Sequence, residues 1–314
     1  MVWPNLSLYP MVWWELNYPA LKPENMSQTR TLLQLYPPPA AGHTGQTELK
    51  GLYASMNLRQ GLAEDDPLVY ANFLSSLDGR IALDDGKGNS ATPKELTSPE
   101  DFRLFLELLS QADCLITHGA YLRALEDGRL GNVLQTGVDQ RSQDLAALRT
   151  ARGLKPQPDI AIVSASLDFP MPESLARHGQ HGMIFTGERA DPLRCAAWEQ
   201  KGYEVLRAGK DSMVEGAPLV DQLTQRGYRS IYLVAGPHIL DTVLRAGRLS
   251  RLFQTIHHEL LGGRHFHTMI PGETLQGAGR MKLESLYYHA ATTNRSGQWF
   301  AQFTPLSIAQ EATA

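Results

Sequence analysis

Residues 68–82 read LVYANFLSSLDGRIA, and this stretch decides the fold. Leu68 to Leu74 is apolar except for Asn72, which suits a strand covered on both faces better than one with a solvent side. Ser75, Ser76, Asp78 and Gly79 then bring hydroxyls, a carboxylate and a glycine to a turn, after which Ile81 to Leu83 resumes as a second strand. Downstream, Ser98-Pro99-Glu100-Asp101 has the form of a helix start. The hydroxyl caps free N–H groups, proline fills the first position, and acid meets the positive end of the dipole. Phe102, Phe105, Leu106 and Leu109 follow at helical spacing.

The alternation continues along the chain. Strands are expected at Cys114–Thr117, Asp159–Ser164, Met183–Thr186, Tyr203–Arg207 and Ile231–Val234. Helices are expected near Tyr121, from Ser142 to Arg152 before Gly153, from Asp191-Pro192 to Gly202, from Pro218 to Arg226, and from Pro237 to Ala246. Strand, helix, strand in steady succession is the grammar of a parallel sheet with helices on its faces. The end breaks it: Leu252–Leu260, Lys282–Ala290 and Trp299–Phe303 are strand-like with no helix between them, and Asn294 to Gly297 supplies a turn. The expected class is α/β, a mixed and mostly parallel sheet with flanking helices and antiparallel strands at its C-terminal end.

Toward the N-terminus the pattern weakens. Residues 1–25 carry Trp3, Trp13 and Trp14 among four prolines and lack the basic front of a secretory signal, so Met26 marks a candidate start. Pro37 to Pro39, Gly42 and Gly45 read as a stiff and then loose segment. The expected division is an extension over 1–63, one domain over 64–305, and a tail over 306–314.

Composition narrows the function. With 42% hydrophobic and 20% charged residues the chain is of globular type, and its net charge of −4 offers no broad field for nucleic acid. No apolar run reaches the roughly 18 residues of a membrane span. Cys114 and Cys195 read as two thiols in a reducing cytoplasm. The chain contains no G-x-G-x-x-G after a strand, no G-x-x-x-x-G-K-[ST] and no G-x-S-x-G. His257, His258, Glu259, His265 and His267 crowd together, but Gly262 stands where an H-E-x-x-H helix needs its second histidine, so no metal site is assigned.

Ligands of open α/β sheets lie at the carboxyl ends of strands. Those ends hold Ser75 to Arg80, Gly86 to Ser90, His118 to Ala120, Ser164 with Ser166 and Asp168, and Ala235-Gly236-Pro237-His238. Small residues and hydroxyls gathered on one edge suit a phosphorylated ligand. Asp78 is the carboxylate nearest that edge, with two roles open to it: catalytic acid, or clamp of its own turn.

Five motifs, taken in order, resemble the C-terminal reductase domain of the bifunctional riboflavin-biosynthesis deaminase/reductase, a relative of dihydrofolate reductase. They are ANFLSSLDGRIA at 71–82, Ser90 with Thr97 to Glu100, Asp113 to Gly119, VAGPHIL at 234–240, and Ile256 to Gly263. No deaminase zinc signature precedes them. The resemblance implies a cytoplasmic NADPH-dependent reductase, a homodimer acting on a small phosphorylated pyrimidine. It implies cofactor contacts at Ser75, Ser164, Ser166, Gly236, Pro237, His238, Ile239 and Thr242, and substrate contacts at Ser90 and at positions 72 and 234. The chain departs from the family by carrying Asn72 for lysine, Val234 for glutamate, Leu109 for arginine and Tyr121 for threonine. The first two changes remove charge stabilisation and a proton source. A reductase of another heterocycle or carbonyl, and a non-catalytic nucleotide-binding dimer, are the alternatives.

Overall fold

The computed structural model describes residues 30–84, 90–139 and 142–306. Its strands are β1 (Thr31–Tyr36), β2 (Gln46–Glu48), β3 (Leu68–Ser76), β4 (Ala82–Asp84), β5 (Ser90–Ala91), β6 (Cys114–His118), β7 (Asp159–Val163), β8 (Gly182–Thr186), β9 (Glu204–Arg207), β10 (Ser230–Leu233), β11 (Arg251–His257), β12 (Phe266–His267), β13 (Met281–His289) and β14 (Gln298–Pro305). The described helices are α1 (Pro99–Leu109), α2 (Gly119–Glu126), α3 (Gln143–Ala151), α4 (Glu173–Arg177), α5 (Pro192–Gln200), α6 (Gly216–Gln225) and α7 (Pro237–Arg245).

Eleven strands form one sheet in the order β2-β1-β13-β14-β11-β3-β10-β6-β7-β8-β9. From β11 to β9 every pairing is parallel, and from β14 to β2 every pairing is antiparallel. This is the mixed, mostly parallel α/β sheet, with antiparallel strands at its C-terminal end, that the sequence pattern predicts. A separate small sheet has the order β12-β4-β5.

Alternation along β3 divides the core. Tyr70 joins a layer with Leu104 and Leu108 of α1 and Phe253 of β11, whereas Val69, Ala71 and Phe73 join Leu219 and Leu223 of α6 and Ile239 and Val243 of α7. Helix α1 forms as read: the Ser98 hydroxyl accepts from the Asp101 N–H at 3.0 Å, with Pro99 in the first turn. Helices α6 and α7 meet closely because residue 216 is glycine; a Cβ there would lie 2.4 Å from the Thr242 carbonyl oxygen.

The domain begins earlier than the sequence reading placed it. Strands β1 and β2 extend the sheet through pairing with β13, and Leu32, Leu49, Leu52, Tyr53 and Leu58 are buried in the α1 layer. Residues 30–63 are therefore part of the packed unit. The cue was weak because β1 is near the sheet edge: Leu32 points in while Leu33 and Leu35 stay exposed. The expectations for residues 1–25 and 307–314 lie outside the described residues, as does the 86–89 part of the serine loop.

Candidate active-site cleft

The order β11-β3-β10-β6 places sequence-distant strand ends side by side. From β3 the chain crosses to β6 and onward to β9, then returns as β10 between β3 and β6. Such a reversal opens a crevice beyond the carboxyl ends of the strands. A cleft of about 350 Å³ lies there, lined by Asn72, Phe73 and Leu74 of β3, Ile81 and Ala82, Thr92 and Thr97, Asp101, Phe102 and Phe105 of α1, Val133, and Gly236 with Pro237 at the start of α7.

One wall is the N-terminus of α7. Gly236 is its cap residue, no side chain caps it, and no acid occupies the first turn. A Cβ on Gly236 would find only His118 Nε2, at 3.7 Å, so the backbone approach is open. His118 Nδ1 accepts from the Tyr121 N–H at 3.2 Å, and burial together with Arg123 holds its pKa down to about 4. The ring is thus neutral, with Nε2 as its N–H. An open, uncapped helix end beside a fixed donor fits an anionic group such as a pyrophosphate. Tyr121 serves another wall: its hydroxyl donates to the Gly131 carbonyl at 2.8 Å and accepts from the Val133 N–H at 2.9 Å, which fixes Val133 at the cleft.

The cleft also holds a carboxyl, Asp101, whose sequence signature is only that of a helix-start acid. Asp101 is 8% exposed, and burial raises its pKa to about 6, with Glu100 adding to the rise and a hydrogen bond with Thr255 opposing it. Its Oδ1 has no hydrogen-bond partner among the described residues, whereas Asn72 hydrogen-bonds with Tyr232.

The expected site residues divide. Asn72, Gly236 and Pro237 line the cleft, and His238 follows exposed in the first turn of α7. Ser75 lies three residues from Asn72 and so on the other face of β3, where its hydroxyl accepts from Gln254 Nε2 at 3.1 Å. Ile239 is a core side chain, able to offer only backbone, and its N–H bonds to the Gly236 carbonyl at 3.1 Å. Thr242 Oγ1 accepts from the Gly216 N–H at 2.9 Å and binds α7 to α6, away from the cleft. Val234 is half-buried against the α1 layer and does not line the cleft. Ser164 Oγ accepts from the Leu167 N–H at 3.0 Å within its own turn; Ser166 is exposed beyond β7, and Ser90 is exposed on β5. Leu109 is fully buried.

Asp78 has the clamp role. Its carboxylate accepts from the Ser76 hydroxyl, from the Leu261 N–H at 3.3 Å and the Gly262 N–H at 2.9 Å, and it pairs with Arg80. The Ser76 and Gly262 hydrogen bonds, followed by that of Leu261 and the charge of Arg80, hold its pKa at about 2. A carboxylate this acidic carries no proton at neutral pH, so the candidate acid of the sequence reading is corrected to a tie between the β3–β4 turn and the segment after β11. The histidines after β11 take separate surroundings: His258 sits edge-on to Trp299 at 4.3 Å, Glu259 accepts from the Ser296 hydroxyl at 2.6 Å, and His267 meets Asp84 at 2.8 Å.

Asp101 makes stability depend on pH. Its folded pKa lies above its unfolded value, so the folded state holds the proton more tightly and ionisation works against folding. Stability is expected to fall by roughly 2–3 kcal/mol as pH rises from about 4 to above 6. Asp101→Asn should abolish this component, as read by urea melts at pH 4.5 and 7.5. An unchanged difference between the two pH values would show that Asp101 is not its source.

An open α/β sheet with an anion-ready helix end and an apolar cleft carrying one protonatable carboxyl defines a class, the α/β proteins that bind a ligand at the carboxyl ends of their strands. The family is equally definite: the sequence profile of the RibD C-terminal domain matches residues 67–292, and the chain belongs to that family. Among solved structures it is similar to a pyrimidine reductase-like protein of Corynebacterium diphtheriae, at 18% identity and a TM-score of 0.57 over 77% of this chain and 92% of that one. It is also similar to Acinetobacter baumannii RibD, at 15% identity and a TM-score of 0.51 over 78% of this chain and 59% of that one. A diaminohydroxyphosphoribosylaminopyrimidine deaminase/5-amino-6-(5-phosphoribosylamino)uracil reductase of Thermotoga maritima gives 14% identity and a TM-score of 0.50 over 77% of this chain and 58% of that one. No curated protein sequence matches significantly.

Proposed function

We propose that the chain is an NADPH-dependent reductase of the riboflavin-biosynthesis type, acting on 5-amino-6-(5-phosphoribosylamino)uracil. The observation that carries this reading is the coincidence, in a member of the RibD C-terminal domain family, of the open Gly236 helix end with the cleft between β3 and α1. Gly236 and the His238 N–H would hold the cofactor pyrophosphate, with His118 Nε2 as a neutral donor beside it. Bound there, a reduced nicotinamide supplies hydride. Phe102, Phe105 and Val133 keep the cleft apolar and exclude water, while Asp101, its pKa raised to about 6, is the cleft carboxyl that titrates just below neutral pH.

Two family charges are absent, since Asn72 replaces lysine and Val234 replaces glutamate. Asn72 can hydrogen-bond but cannot titrate. Turnover with the authentic pyrimidine is therefore expected below about 1 per second, the low end of the ordinary enzyme range. Purified protein, NADPH and that pyrimidine, followed by loss of the reduced-cofactor absorbance, test the proposal. Slow substrate-dependent oxidation supports it. Cofactor binding with no oxidation would leave a nucleotide-binding protein instead.

A further inference from the structure

Among the described residues that line the cleft, Asp101 is the one titratable side chain. It stands in the first turn of α1, and the Thr255 hydroxyl reaches its carboxyl from β11. Thr255 is 1% exposed and sits mid-sheet, paired with Leu74 of β3 on one side and Phe300 of β14 on the other. A β-branched side chain on a strand paired on both sides has few rotamers, so this hydroxyl is a fixed donor. One hydroxyl cannot meet both oxygens of a carboxyl, and Asp101 Oδ1 has no partner among the described residues. The other groups whose fields couple to Asp101 are Glu100 on its own helix, Tyr53 from the segment before β3, and Tyr232 of β10. None of the three is a cation. Burial therefore favours the protonated carboxyl, and the Thr255 hydrogen bond is what opposes it.

We propose that Asp101 is the proton donor of the reduction and that Thr255 is the positioning residue that orients its carboxyl. Hydride added to the carbon of a C=N or C=O bond drives the π electron pair onto the heteroatom, which takes the proton from Asp101. The carbon is reduced, the nicotinamide is left oxidised, and the carboxylate regains its proton from solvent. A protonated carboxyl has a single O–H. Because the Thr255 hydroxyl donates to the carboxyl, it occupies one oxygen as acceptor and leaves the proton to the other, the oxygen free of protein partners. Asn72 cannot titrate, so within this lining the acid has to come from α1. The source of hydride rests on the proposed reductase reading; the donor and its orientation rest on the cleft.

The first readout uses the full chain without cofactor. Carbon NMR of aspartate-labelled protein follows the Asp101 carboxyl, assigned by its absence from Asp101→Asn, and its midpoint is expected near pH 6. In Thr255→Val the proton affinity should rise about tenfold, since the lost bond favours the ionised form, and Thr255→Ser should restore the wild-type midpoint. The second readout is turnover of the pyrimidine with NADPH across the same pH range. The wild-type kcat should fall as pH rises through the Asp101 midpoint, and Asp101→Asn should lower it by about 100-fold and flatten the profile. Thr255→Val should lower kcat on the acid side by about tenfold with KM little changed, and Thr255→Ser should recover it. Thermal melts establish that each variant is folded; if Asp101→Asn is not, Thr255→Val with its serine rescue carries the test. Titration of Asp101 in the ordinary carboxylate range, a Thr255→Val midpoint equal to that of wild type, or wild-type kcat in a folded Asp101→Asn would overturn the proposal. Normal wild-type turnover with an unaffected Asp101→Asn confines the failure to Asp101, whereas no oxidation by wild type at any pH counts against the reductase reading and removes the donor role with it.

Discussion

Glu107→Ala should lower stability by about 3–5 kcal/mol, a loss read from the midpoint of urea unfolding. Glu107 is fully buried on α1, and its carboxylate accepts from the Gly51 N–H at 2.6 Å, the Tyr53 N–H at 2.9 Å, the Ala54 N–H at 3.1 Å and Arg103 Nε at 2.8 Å. Removing it leaves buried backbone donors without acceptors and takes a partner from Arg103, which keeps its bonds to Asp144. The contacts tie residues 49–58 to the central helix, so the same substitution should speed proteolysis within that segment. A loss below about 1 kcal/mol would show that the segment is held by apolar packing alone, through Leu49, Leu52 and Tyr53.

That tie has no signature in the sequence. The parallel half of the sheet was legible because each of its central strands is a short, continuous apolar run and several helices carry a start signal, such as Ser98-Pro99 or Asp191-Pro192. The edge was not: β2 has three residues, and β1 follows no motif that separates it from the prolines after it. No local pattern says that a glutamate at the ninth position of a helix binds a loop more than fifty residues upstream.

The site was legible to a similar extent. Glycine and proline at a helix start announce an anion site, and Gly236 with Pro237 lies on the cleft. Period-two alternation already separates Ser75 from Asn72, and helical spacing turns Thr242 from the first turn of α7 toward α6. Asp101 escaped because an acid in the first turn is the expected ornament of a helix, and nothing local reveals that β11 and β3 bury it.

Gly236→Asp should reduce NADPH affinity by about 100-fold or more and leave the thermal transition unchanged or slightly raised. The backbone there has φ −70° and ψ −179°, which any residue adopts, and a Cβ meets nothing closer than His118 Nε2 at 3.7 Å. The fold therefore accepts the side chain. A carboxylate at a helix N-terminus even stabilises the helix by about 0.3–1 kcal/mol. The same charge occupies and repels at the position where a pyrophosphate would bind, and a hundredfold loss corresponds to about 2.7 kcal/mol. Affinity and stability moving in opposite directions distinguishes a binding loop from a structural one. Unchanged affinity in a fluorescence titration would take the loop out of the site.

A crystal structure of the chain with NADPH tests the cofactor site directly. The pyrophosphate is expected against the His238 N–H at the start of α7, with Gly236 beneath it, and the nicotinamide in the cleft lined by Asn72 and Asp101. A dinucleotide bound at another strand end, or a nicotinamide directed away from Asp101, would contradict it.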